Sequence, residues 1–134
     1  MRDSLAMNEG NLRVLLVDDK QEFLDAARRI LQLQQSVEIV GAFTSARVAI
    51  EEAARLRPDL VLVDLIMAEM NGLEVVRKIR ASGSTAHVVM LSIYDSAGYG
   101  EAAAEAGADG FVSKIGFVKG LIALVNRLRT SQGI

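Results

Sequence analysis

Three short apolar runs in this chain each break off at a polar side chain. Residues 14–17 (Val-Leu-Leu-Val) stop at Asp18 and Asp19, residues 60–63 (Leu-Val-Leu-Val) at Asp64, and residues 88–91 (Val-Val-Met-Leu) at Ser92. None of them alternates apolar with polar, the pattern of a strand with one wet face. Runs this short and unbroken read as strands covered on both faces, as in a parallel sheet. Between them lie stretches of helical period. Phe23, Ala26, Ala27, Ile30 and Leu31 make one apolar face, and Ala46, Ala49, Ile50 and Ala53 a second. Val75, Val76 and Ile79 make a third, and Phe117, Leu121, Leu124, Val125 and Leu128 the last. A short alanine-rich helix is expected over residues 101–106. Two weaker runs, one with Val37, Ile39 and Val40 and one over residues 109–113, read as edge strands. Five strands alternating with five helices imply right-handed crossovers and an α/β fold, a parallel sheet between helix layers.

Local signals place the boundaries. Asp19 with Glu22 three residues on matches a capping box, so the first helix is expected to begin at Asp19. Pro58 parts the second helix from the central strand. Asn71-Gly72 reads as a turn and helix start. Gly107 fits a helix C-cap, and Arg127 and Arg129 fall where the last helix's dipole favours cations. Residues 1–11 are expected to form a flexible arm, residues 12–130 one domain, and residues 131–134 a tail.

Composition narrows the chemistry. With no cysteine there is no thiolate metal site, and with one histidine, His87, neither a His-based zinc site nor a Ser-His-Asp triad is expected. Net charge is -2 and no segment concentrates Lys and Arg, which argues against nucleic acid as a direct partner. No apolar run approaches the roughly 20 residues of a membrane span. Met1 to Asn11 lacks the apolar core of a signal peptide. A soluble, cytoplasmic protein is the expectation.

In a parallel sheet every strand's carboxyl end lies on one edge, where open α/β folds bind ligands. Asp18, Asp19, Asp64, Ser92 and Lys114 all occupy such ends. Topology would therefore gather residues remote in sequence onto one small surface. Like charges ~4 Å apart repel by roughly 4 kcal/mol at an effective dielectric of about 20, so cations must compensate. Lys114 supplies one charge. A hard divalent ion would supply two, and a few carboxylates with water suit Mg²⁺ better than a Ca²⁺ cage. A carboxylate beside an open Mg²⁺ shell can serve as nucleophile toward phosphorus. Read singly, these residues are ordinary: Asp19 a helix cap, Asp64 a turn former, Ser92 a polar strand end, Lys114 a surface lysine, Phe111 a core ring.

Together they resemble the response-regulator receiver domain of bacterial two-component signalling. The resemblance runs from about Leu12 to Arg129. It rests on Val17-Asp18-Asp19, on Val63-Asp64 followed by Met70-Asn71-Gly72, on Ser92, and on Ala106-Gly107-Ala108-Asp109-Gly110-Phe111 leading to Lys114. It implies a flavodoxin-like (βα)5 fold with strand order 2-1-3-4-5 and helices on both faces. It also implies Asp64 as phosphoacceptor and Mg²⁺ held by Asp18 (mostly through water), Asp19, Asp64 and the carbonyl of Ile66. Ser92 and Lys114 would hold phosphoryl oxygens, and Phe111 would be an aromatic switch. A sensor histidine kinase or phosphotransfer protein would donate the phosphoryl group. An output domain or downstream protein would read the surface of the fourth helix, fifth strand and fifth helix. No enzymatic activity beyond self-catalysed phosphorylation and dephosphorylation is implied.

The chain departs from the family pattern at three positions. Ala68 replaces a usual proline, Ile93 a usual small residue after Ser92, and Ile115 the proline usual after the lysine. Ile93 would narrow access to the phosphoryl group. A cis bond before a non-proline residue costs about 2.5 to 4 kcal/mol, so Lys114-Ile115 is expected to be trans. The rival reading is a receiver-like interaction module that is never phosphorylated. A dehalogenase-type hydrolase would need an aspartate where Ile66 stands, and a flavin protein would need a Ser/Thr-rich loop after the first strand.

Overall fold

The computed structural model describes residues 11–93 and 98–131. The expected arm, apart from Asn11, lies outside the described residues, as do residues 132–134 of the expected tail and Tyr94. The elements are β1 (Leu12–Val17), α1 (Gln21–Gln32), β2 (Val37–Phe43), α2 (Ala46–Leu56), β3 (Leu60–Asp64), α3 (Gly72–Ala81), β4 (His87–Ser92), α4 (Gly100–Ala106), β5 (Gly110–Ser113) and α5 (Phe117–Ser131). The five strands form one parallel sheet in the order β2-β1-β3-β4-β5. The expected alternation and strand order both hold. Among the described residues no helix is long and apolar enough to cross a membrane.

Strand geometry sends successive side chains to opposite faces, and the core divides accordingly. Leu15, Val17, Val61, Val63, Val88 and Met90 pack with α2, α3 and α4 through Ala49, Ala53, Val75, Val76, Ile79 and Ala103. Val14, Leu16, Leu60, Leu62, Val89 and Leu91 pack on the other face with Leu24, Ala27 and Leu31 of α1 and Leu121, Leu124, Val125 and Leu128 of α5. The apolar faces expected for α2, α3 and α5 are those turned to the core, with Ile50 and Phe117 half-buried at their margins. The face of α1 is rotated: Leu24, Ala27 and Leu31 are buried, whereas Phe23, Ala26 and Ile30 are half-buried.

Two boundaries depart from expectation. The first helix does not begin at Asp19, and no capping box forms. Its N-cap is Lys20, in extended geometry and without a side-chain cap, and the Phe23 and Leu24 amides donate to the Lys20 carbonyl. Asp19 is engaged elsewhere. The second strand runs on to Phe43, because pairing with β1 continues from Leu15 with Gly41 to Val17 with Phe43 past a register shift after Val14. At the other helix starts, Asn71 Oδ1 accepts from the Glu74 amide (3.0 Å) and Ser45 Oγ from the Val48 amide (3.2 Å). Gly107 closes α4 at φ 110°, as expected for a C-cap.

Candidate functional site

The register brings the strand ends together. Val17 pairs with Val63, Asp64 with Leu91, and Ser92 with Ser113. The residues just beyond, Asp18 and Lys114, therefore emerge beside Asp64 and Ser92. Alternation adds direction. Asp18, Asp64 and Lys114 each stand two residues after a side chain facing α1 and α5, namely Leu16, Leu62 and Val112. All three are aimed the same way.

The result is a compact acidic cluster: one carboxylate oxygen from each of Asp18, Asp19 and Asp64 lies within 4.8 Å of the others. Lys114 Nζ stands 2.6 Å from Asp18 Oδ2 and 3.4 Å from Asp64 Oδ1. Its ammonium also lies over the Phe23 ring, 4.3 Å from the centroid, and that ring packs on Phe117 at 4.9 Å. The cation is thus held between two carboxylates and an aromatic face. Asp18 is fully buried. Its Oδ1 accepts from the Lys20 amide at 2.8 Å, while Oδ2 meets the ammonium as an ion pair, outside hydrogen-bond geometry. Asp19, more exposed, accepts the Ala68 amide on Oδ2 at 2.9 Å. This contact, across the sheet edge, is what draws its carboxylate away from α1.

Asp64 is buried, with a weak bond from the Ile66 amide to Oδ1 (3.4 Å). Its carboxyl is pushed above the ordinary carboxylate value, first by burial and then by the charge of Asp18; Lys114 and the Ile66 amide pull it back without reversing the shift. Ser92 is buried, and its carbonyl accepts the Lys114 amide at 2.8 Å. A cavity of about 460 Å³ opens over Asp64, lined also by Lys20, Phe23, Ile66, Ser92, Ile93 and Lys114.

Behind Asp64 the packing leaves no slack. A Cβ on Gly72 would stand 2.3 Å from the Asp64 carbonyl oxygen and 2.9 Å from Leu65 Cα, and the Gly72 amide donates to the Leu65 carbonyl at 2.7 Å. Only glycine lets α3 start this close to the end of β3.

The structure thus joins Asp18, Asp19, Asp64, Ser92 and Lys114, with Ile66 at the cavity wall. It does not bring Phe111 to them. That ring is half-buried on the sheet face of α2, α3 and α4 and lines a separate cavity of about 260 Å³ beside α4. No cis peptide occurs among the described residues, so Lys114-Ile115 is trans, as expected. Sequence reasoning misses two participants, Phe23 and the Ala68 amide. Phe23 reads there only as part of a helical face, and a backbone donor leaves no side-chain signature.

The clustered carboxylate oxygens of Asp18, Asp19 and Asp64 make an all-oxygen donor set that fits a hard divalent cation. The family "Response regulator receiver domain" matches residues 14–126. A protein-glutamate methylesterase/protein-glutamine glutaminase from a Nocardioides strain is 41% identical over 60% of this chain and 22% of its own length. The transcriptional regulatory protein DegU of Brevibacillus brevis is 30% identical over 81% of this chain and 46% of its own. The chain therefore spans less than half of either relative. Among solved structures, the signal receiver domain of NarL from Mycobacterium tuberculosis superposes with a TM-score of 0.82 at 28% identity, covering 90% of this chain and 97% of that one.

Proposed function

The chain belongs to the response regulator receiver domain family, and from that premise we propose that it is a switch in which Asp64 accepts a phosphoryl group from a partner histidine kinase or phosphotransfer protein. The observation that carries this is the geometry of one ammonium 2.6 Å from Asp18 and 3.4 Å from Asp64, at the mouth of a cavity floored by the latter. Asp18, Asp19, Asp64 and the Ile66 carbonyl would hold Mg²⁺, which would supply positive charge to the phosphoryl oxygens. A carboxylate oxygen of Asp64 attacks phosphorus, the bond from phosphorus to the donor's imidazole nitrogen breaks, and its electron pair leaves with that nitrogen. Lys114 moves from carboxylate to phosphoryl oxygen, and the Ser92 hydroxyl donates to another. Hydrolysis later returns the carboxylate and inorganic phosphate.

The added group brings about -1.5 to -2 charge at neutral pH. Pulling Ser92 and Lys114 toward it shifts the ends of β4 and β5, and Phe111 follows. The surface of α4, β5 and α5 then changes its affinity for an output domain or downstream protein.

Intact mass after incubation with acetyl phosphate and Mg²⁺ tests the proposal. A gain of one phosphoryl group is expected, absent in Asp64→Asn and without Mg²⁺. No gain in the wild type, or a gain that survives Asp64→Asn, overturns it. The first result, joined to absent Mg²⁺ binding, would assign the chain to the unphosphorylated interaction modules instead.

A further inference from the structure

Resting on that reading, we infer that Ala68 is a positioning residue for the cation site: its backbone N–H fixes the Asp19 carboxylate before the ion arrives. Asp19 sits in the connection between β1 and α1, with its side chain about a quarter exposed. Its other polar contact is Lys20 Nζ at 3.5 Å, an exposed pair of little value. The Ala68 amide at 2.9 Å is therefore its anchor. A charged acceptor makes this the stronger kind of hydrogen bond.

The donor is itself held rigidly. Glu69 Oε1 accepts from the Ala46 amide (2.8 Å) and the Ser45 hydroxyl (3.3 Å), which seats that carboxylate on the N-terminus of α2. On the near side the Leu65 amide donates to Leu91 and the Leu65 carbonyl accepts Gly72. The connection carrying Ile66 and Ala68 is thus tied to β4, α2 and α3. Through Ala68 it is tied to Asp19, so two walls of the cation site are joined to each other. A carboxylate on a loose turn must surrender rotamer freedom when it takes an ion, and here that ordering precedes binding. The device exists because residue 68 has an N–H, which proline lacks.

Mg²⁺ titration of the full chain, followed by calorimetry and by backbone amide shifts, tests this with Ala68→Pro against Ala68→Gly, which keeps the N–H. Ala68→Pro is expected to raise the Mg²⁺ dissociation constant about three- to tenfold, the worth of one side chain's ordering, while Ala68→Gly stays near wild type. Equal or tighter binding by Ala68→Pro, or equal weakening by both variants, overturns the inference. Should Ala68→Pro not fold, hydrogen exchange decides. The Ala68 amide is expected to be protected in the wild type and unprotected in Asp19→Ala, and free exchange in the wild type overturns the inference. Asp19→Asn separates the two claims. If it leaves Mg²⁺ affinity intact, the functional reading fails; if it weakens binding and Ala68→Pro does not, only the role of Ala68 fails.

Discussion

Replacing Asp64 by asparagine should make the metal-free protein more stable, although it removes the proposed reactive group. The structure sets the terms. Asp64 and Asp18 offer oxygens within 4.8 Å of each other, a repulsion of roughly 3.5 kcal/mol at an effective dielectric of about 20. Lys114 at 3.4 Å attracts Asp64 by roughly 5 kcal/mol on the same basis. These terms nearly cancel, so desolvation decides, and for a buried ion it amounts to several kcal/mol. The upward shift of the Asp64 carboxyl has the same sign. The asparagine side chain keeps the shape and an acceptor for Lys114, and sheds the ionic cost. A gain of about 1–3 kcal/mol is expected at neutral pH in EDTA, from urea midpoints at equal slope. The pH dependence follows. A raised carboxyl means the folded chain holds this proton more tightly than the unfolded chain. Below the ordinary value of 3.8 both states are protonated and the penalty is absent. It grows as pH rises through the raised folded value and is constant above. The gap between variant and wild type should therefore open from acid to neutral pH and narrow again with Mg²⁺, which stabilises the form that binds it. A variant no more stable than wild type at neutral pH in EDTA, or a gap independent of pH, would refute the reasoning.

Lys114→Met leaves Asp18 Oδ2 buried with no counter-charge; a loss of about 3–5 kcal/mol in EDTA is expected, partly restored by Mg²⁺, again by urea unfolding. Gly72→Ala forces a methyl against the Asp64 carbonyl, costing about 1–3 kcal/mol and slowing acetyl-phosphate labelling as the reactive strand end shifts. Arg80 donates to the carbonyls of Gly107, Ser84 and Ala86 and to Asp109 Oδ2 at 2.6–3.2 Å. Arg80→Ala should cost about 2–4 kcal/mol in thermal or urea unfolding by stranding several acceptors, and a loss under about 1 kcal/mol would show that water replaces them.

What the sequence made legible divides by the range of the interaction. Residues 14–17, 60–63 and 88–91 announced buried strands because burial on both faces removes every polar residue from a run, and that rule needs no partner. Asn71 and Gly107 announced helix ends because each acts on backbone within a few residues. Strand order is different. Nothing in the apolar runs says that β1 lies between β2 and β3, and the order came from resemblance to a family. Asp19 shows the same limit in one side chain. With Glu22 it matches a local capping pattern, yet an amide 49 residues away in sequence takes its carboxylate. The rotated face of α1 has a similar cause: Leu24 is buried because α1 packs over β2 and against α5, contacts that helical period alone does not fix.

That division explains why the convergence of the strand-end side chains could be read from the sequence without the strand order. Once the strands are located, period two fixes which way their ends point, and the polar residues at those ends must share an edge. Asp18 and Asp64 follow Leu16 and Leu62 by the same even step, and Lys114 follows Val112 likewise, so all three converge above α1 and α5. Phe111 stands an odd number of residues from Lys114 and faces the other way. A ring there does not face the acidic cluster and Lys114. If it responds to phosphorylation, it must do so through movement of β5, carried by the same strand that delivers Lys114.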